Sequence, residues 1–150
     1  MSKKILYVDM DGTLVNFKSG IERLDPVLRL KYKDDLDEVP GIFSLMPPID
    51  HAIESYEKLA SWYDAYILST APWENPSAWH DKLLWVKKYL GKPAYKRLII
   101  SHNKHLNHGD FLIDDRPNNG AEFFPGEWIH FNTPKFPNWN SVVEYLKSQK

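Results

Sequence analysis

Five charged positions in this chain could do chemistry together: Asp9 and Asp11 in "VDMDGT", Lys104 in "SHNKH", and Asp114 and Asp115 in "LIDDRP". The acids end apolar runs fit to be buried strands, where an unpaired carboxylate costs several kcal/mol or more unless a cation meets it. Asp9 and Asp11 lie two apart, so strand periodicity turns both side chains to one side, and Gly12 lets the chain turn away sharply. If Asp9, Asp114 and Asp115 are ionised around a phosphate dianion, about five negative charges crowd together, each pair repelling by roughly 4 kcal/mol at ~4 Å and an effective dielectric near 20. A divalent cation, with Lys104, would offset much of that. All-oxygen ligands suit Mg²⁺, while the absence of cysteine and of an H-E-x-x-H helix argues against zinc.

These residues need a scaffold that gathers them. The apolar runs at 3–9, 65–70, 97–101, 111–114 and 127–131 have the length and composition of strands buried on both faces, as parallel sheets require. Helical patterns alternate with them. One follows Asp50, a candidate N-cap, through Ala52, Ile53, Tyr56, Leu59, Ala60 and Tyr63. A second has Asn75 as N-cap, Pro76 at the first turn, Trp79, Leu83, Val86 and Leu90 on one face, and Gly91 as terminator. A third starts near Asn138 and uses Val142, Val143 and Leu146. The alternation predicts an α/β fold: a doubly wound, Rossmann-like parallel sheet of about five strands. Residues 18–48 break the pattern and are too few for a core of their own, which predicts a small helical cap inserted after the first strand. In such sheets ligands bind beyond the carboxyl ends of the strands, where Asp9, Asp11, Ser69, Thr70, Lys104, Asp114 and Asp115 all fall.

The totals fit one compact unit. At 150 residues, 43% hydrophobic and 26% charged, the composition is that of an ordinary globular chain, and a formal charge of -1 gives no general pull toward nucleic acid polymers or acidic membranes. No apolar run approaches the roughly 18 residues of a membrane span, and "MSKK" leads straight into a strand rather than a signal peptide, so a soluble, cytoplasmic protein is expected. A homodimer stays open.

"DMDGT", followed in order by a strand-terminal Thr70, Lys104 and "IDD", resembles the haloacid dehalogenase (HAD) superfamily of phosphotransferases. "VDMDGTLVNF", "LSTAPW" and "SHNKHLNHGDFLIDDRPNN" look more closely like the 5'(3')-deoxyribonucleotidase family. The resemblance implies a single HAD-like domain over 1–150 with a cap at 18–48, acting as a phosphoric monoester hydrolase on nucleoside monophosphates. It implies Asp9 as nucleophile, forming an aspartyl-phosphate, and Asp11 as general acid and then base, with a raised pKa. Mg²⁺ would be held by Asp9, the Asp11 backbone carbonyl and Asp114, with Asp115 in or next to the shell. Thr70, Ser69 and Ala71 would border the phosphoryl oxygens, and Lys104 would neutralise Asp9 and phosphate together. The resemblance also places Phe17, Trp73 and Phe43 where rings could stack on a base or sugar, and Arg116 where it could touch phosphate or the cap. Ala71 stands where a hydroxyl residue usually follows the threonine.

Other readings compete. The same chemistry could serve another small phosphate ester, such as a sugar phosphate. A phospho-acceptor signalling module would need its acceptor at the end of the third strand, which here ends in Ser101. A non-catalytic nucleotide-binding protein would have no need of the full set of acids with Lys104. His102, His105 and His108 recur by threes on a connecting loop, which gives them no reason to converge on a metal.

Overall fold

The computed structural model describes residues 2–150. Five strands, β1 (Ile5–Val8), β2 (Asp64–Ser69), β3 (Leu98–Ile100), β4 (Phe111–Asp114) and β5 (Glu127–His130), form one parallel sheet in the order β3-β2-β1-β4-β5. Every expected run yields a strand. The chain enters at the centre, walks out to β3, crosses back to β4 and walks out to β5, which is the doubly wound path. β1 and β4, in the middle, are the apolar and buried ones; β3, at the edge, is half-exposed along its length.

The winding is lopsided. Helices α3 (Ala52–Trp62), α4 (Pro76–Tyr89) and α5 (Trp139–Gln149) share one cluster with Leu6, Val8, Ala65, Ile67, Phe111, Ile113 and Ile129, so all three cover the same sheet face. The alternate residues Tyr7, Leu68 and Leu112 point to the other face, where Ala121 and Phe124 close a much smaller cluster. There the crossovers after β3 and β4 contain only 3-10 turns, Lys104–Leu106 and Ala121–Phe123, in place of α-helices. The connection carrying Lys104 is therefore short and tied directly to the strand ends.

Two helix expectations need correcting. Asp50 does not cap α3: the N-cap is His51, in a left-handed conformation at φ 66°, with no side-chain cap bond. Trp79 and Leu83 do not lie on the packed face of α4, which buries Ala78, Lys82, Trp85 and Val86 instead. They are exposed and line an apolar groove between α4 and β3, about 950 Å³ in volume and bordered by Lys87, Lys92 and Lys96. The helix turns its face because Lys82 and Trp85 have partners inside, described below. Asn75 holds the N-cap position, but its amide donates to Asp37 O (2.8 Å) and Val39 O (3.1 Å) rather than capping the helix. Gly91 terminates α4 as expected, at φ 59° with its N–H on Val86 O. At α5, Asn138 and Ser141 form a reciprocal capping box.

The segment between β1 and α3 folds as α1 (Phe17–Glu22), α2 (Pro26–Lys31) and two 3-10 turns, Leu36–Glu38 and Ile42–Leu45. Its Leu24, Val39, Ile42, Phe43 and Met46 join the main core instead of forming one of their own. Helix α4 clamps it: besides the Asn75 bonds, Ser77 Oγ accepts from Gly41 N–H (2.9 Å) and Trp85 Nε1 donates to Met46 O (3.0 Å). Among the described residues no helix is long and apolar enough to cross a membrane.

Candidate active site

Register brings the first acids together. Val8 of β1 pairs with Ile113 of β4 and Asp9 N–H donates to Ile113 O (2.9 Å), so Asp9 and Asp114 emerge side by side. After Asp9 the chain wraps tightly, the N–H groups of Thr13, Leu14 and Val15 converging on Met10 O at 3.0, 2.9 and 2.8 Å. Gly12 is at φ 78°, and a Cβ there would run into the Asp115 carboxylate, so both the turn and the close approach require glycine. Thr13 is fully buried; its hydroxyl donates to Asp9 Oδ2 (3.3 Å) and its carbonyl accepts from Trp139 Nε1 (2.8 Å), so α5 steadies the loop.

Lys104 is the hub of the acids. Its Nζ, almost wholly buried, lies 2.8 Å from Asp9 Oδ1 and 2.6 Å from Asp114 Oδ2. β5 fixes the backbone beneath: Trp128 Nε1 donates to Asp114 O (3.0 Å), and His130 Nε2 lies 2.9 Å from Asp115 O. Asp9, Asp114 and Asp115 each offer an oxygen within 4.8 Å of the others. Asp115 Oδ1 is buried without a partner, as is Asp11 Oδ1. An orphaned, buried carboxylate oxygen is costly, and a set made only of carboxylates is what a hard divalent cation takes. The residues therefore fit one.

Burial alone would lower the pKa of Lys104, but Asp9 and Asp114 more than offset it and hold it above its usual value. Burial and the charge of Asp9 push Asp114 up to about 7 against the pull of Lys104, and the same two causes raise Asp115 to about 7. A raised lysine and a raised acid partner point opposite ways for one ion pair. The resolution is that Asp9 and Asp114 share one ammonium with the Asp115 carboxylate close by, so Lys104 stays charged while Asp114 and Asp115 hold their protons more tightly. Asp11 is also raised, mainly by burial and then by Asp9, with Lys82 pulling it back. This matches the direction expected from the sequence.

A pH dependence follows. A native state that binds protons at about 7 where the unfolded chain binds them near 3.8 is favoured at low pH. Its stability is lost as pH rises through that window. Thermal unfolding in chelator should show the metal-free protein losing stability between about pH 5 and about pH 8, with the loss erased by a divalent cation, which binds the ionised acids. A flat profile in chelator would contradict the assignment.

The remaining residues named from sequence fall into two groups. Thr70 and Arg116 line the cleft together with Asp9, Asp11, Lys104 and Asp114; the Thr70 hydroxyl donates to Ser101 O (2.7 Å), and the Arg116 side chain is exposed while its N–H donates to Asp114 Oδ1. The free space is about 10 Å³, room for one ion or water. Phe17 borders the adjoining cleft of about 190 Å³ with Asp11, Gly12, Asp115 and Arg116. Phe43 is buried behind Phe17, ring centroids 5.9 Å apart. Ser69 and Ala71 are buried outside both clefts, and Trp73 is exposed with its ring against His102.

Sequence reasoning missed Lys82, which reaches Asp11 from α4, and Asn118 and Asn119, which line the cleft after β4. Lys82 hides at a helical position between Trp79 and Trp85; its one signal was a lysine on a face otherwise fit for the core.

The family of "5' nucleotidase, deoxy (Pyrimidine), cytosolic type C protein" matches residues 31–144. A curated protein of Vibrio phage KVP40, which its name assigns to the 5'(3')-deoxyribonucleotidases, is 56% identical over 147 residues, covering 98% of this chain and 86% of its own. That alignment spans Asp9 and Asp11, which precede the family match. A namesake from Bordetella bronchiseptica is 42% identical, covering 75% of this chain and 74% of its own. Among solved structures, a HAD-hydrolase of Bacillus subtilis bound to magnesium superposes with a TM-score of 0.66 at 14% identity, covering 98% of this chain and 100% of that one. A HAD-superfamily hydrolase of Geobacter sulfurreducens gives 0.57 at 12%, with 96% of each covered. Sequence likeness over most of its length and the shared HAD fold together place the chain in the 5'(3')-deoxyribonucleotidase family.

Proposed function

We propose that this chain is a Mg²⁺-dependent phosphomonoesterase acting on deoxyribonucleoside monophosphates through an aspartyl-phosphate on Asp9. The observation that carries the reading is Lys104 bridging Asp9 and Asp114 beside the unpartnered oxygens of Asp115 and Asp11. A carboxylate oxygen of Asp9 attacks phosphorus while the ester P–O bond breaks, and Asp11 gives its proton to the departing nucleoside oxygen. Asp11, now a carboxylate, takes a proton from water as that water attacks phosphorus; the acyl phosphate cleaves, Asp9 returns and inorganic phosphate leaves. Lys104 offsets charge on Asp9 and on the phosphoryl group in both steps, and Thr70 and backbone N–H groups meet the phosphoryl oxygens. Asp9, Asp114, Asp115 and the Asp11 carbonyl would hold Mg²⁺, which when bound supplies further charge stabilisation.

Phe17, with Phe43 behind it, is the surface for the base or sugar, and residues 18–48 serve as the cap. Arg116 meets the phosphate from the exposed side, while Ser69 and Ala71 shape the wall behind Thr70. Trp73 reaches substrate only by leaving His102. A cytoplasmic protein with small-molecule substrates fits this reading, as does a homodimer, and neither a nucleic acid polymer nor a membrane is needed. The test is phosphate release from a panel of 5' and 3' nucleotides and sugar phosphates, in Mg²⁺ and in chelator. Nucleotides should be hydrolysed only with the cation. A sugar phosphate preferred over every nucleotide would overturn the substrate class, and turnover indifferent to chelator would overturn the cation.

A further inference from the structure

The side chain of Lys82 has no solvent exposure. Its Nζ donates to Asp11 Oδ2 (2.9 Å) and Ser69 Oγ (2.8 Å) and lies 4.5 Å from the centroid of the Phe43 ring. The three N–H groups of an ammonium are thus accounted for by a carboxylate, a hydroxyl and an aromatic face. Burying a cation carries a desolvation cost even when it is paired, and a methionine would fill similar volume without that cost. Packing alone gives no reason for a lysine at this position.

We propose that Lys82 is a positioning residue for the transferred proton: it anchors one oxygen of Asp11, leaves the other for the departing nucleoside oxygen, and ties this orientation to the inserted segment through Phe43. The inference rests on the reading of Asp11 as general acid. A lysine ammonium donates and cannot accept, so Oδ2 is held as the unprotonated oxygen and the proton is confined to Oδ1, the atom without a protein partner. The same helix that carries Lys82 clamps residues 37–46 through Asn75, Ser77 and Trp85. Phe43, which covers the ammonium, packs on Phe17 at the cleft. A group bound against Phe17 is therefore linked, through Phe43 and Lys82, to the carboxyl that must protonate it.

The proton matters only for a poor leaving group, which gives a readout that general damage to the fold would not produce. First-turnover release of nucleoside from a deoxyribonucleoside monophosphate is compared with the burst of nitrophenolate from p-nitrophenyl phosphate, an ester whose leaving group departs as an anion. Lys82→Met should slow the first by about 100-fold through misplacement of the acid. It should change the second by less than about 3-fold, since protonation contributes little there. Lys82→Arg should recover part of the loss. Equal slowing on both esters, or none on either, would overturn the proposal. Asp11→Asn is run beside it: if that variant slows both bursts equally, the general-acid reading has failed, whereas selective Asp11→Asn with unselective Lys82→Met removes only the role of Lys82. Should Lys82→Met fail to fold, Lys82→Arg, which keeps the charge but cannot hold Asp11 Oδ2 in the same geometry, decides by the same comparison: slowing confined to nucleoside release supports the inference, and an unselective response overturns it.

Discussion

Asp9→Asn is expected to lower phosphate release by roughly 10⁴-fold or more, the scale seen when a nucleophile is removed from a catalytic set that works as a unit. Asparagine keeps the shape of the side chain: its oxygen can still accept from Lys104 Nζ, and its NH2 can donate to the Thr13 hydroxyl oxygen, which in the wild type donates to Asp9 Oδ2. The loss would therefore lie in bond formation to phosphorus and not in a collapsed site. Mass spectrometry of the quenched reaction should show a phosphoryl adduct on the wild-type chain and none on the variant, while nucleotide binding persists. The substitution also removes a negative charge that raises both Asp114 and Asp115. Their pKa values should fall back, and the metal-free variant should lose less stability with rising pH than the wild type does. An Asp9→Asn protein that turned over at the wild-type rate would end the covalent mechanism.

Much of the fold was legible because the strands are short, apolar and punctuated. β1 and β4 are buried on both sides and read as continuous hydrophobic runs, and Asn138 and Gly91 mark helix ends by residue type. The acids and Lys104 were legible for a related reason: charge at the end of a buried strand has to be explained. What failed was one helix face. Trp79 and Leu83 fit a helical stripe by spacing, but spacing cannot say which side a neighbour occupies, and α4 turns Lys82 inward because Asp11 and Ser69 wait there, 71 and 13 residues away in sequence. His51 displaced Asp50 as the cap of α3 through a left-handed backbone that its residue type does not announce. The same limit hid Asn118 and Asn119, ordinary turn residues until register sets them beside the cleft. Long-range polar partners leave almost no local signature, and the catalytic fine structure consists largely of them.

Lys104→Met should be the most damaging single change to the metal-free fold. The ammonium lies 2.8 Å from Asp9 Oδ1 and 2.6 Å from Asp114 Oδ2, with only 4% of its side chain exposed. Methionine would fill the space and leave two carboxylates facing each other with nothing between them, and stranding buried charge in this way costs about 3–5 kcal/mol. For a chain of about this length that is on the order of 10 °C in Tm. The penalty should depend on pH. Lys104 pulls Asp114 downward, so its removal lets that carboxyl rise further above about 7. At low pH Asp114 and Asp115 stay protonated in both proteins, so the gap between variant and wild type should narrow. The gap should open as pH rises through neutrality, because only the wild type retains a cation when the carboxyls ionise. Mg²⁺ should raise the Tm of the variant more than that of the wild type, since it supplies charge the variant lacks, yet activity should stay depressed, by roughly 10²- to 10³-fold, if Lys104 offsets charge on the phosphoryl group as proposed. Unfolding curves for both proteins, with chelator and with Mg²⁺, at about pH 5 and about pH 8 decide the matter. A gap in Tm that is the same at both pH values and blind to Mg²⁺ would mean that Lys104 only fills space and that the acids are balanced from elsewhere.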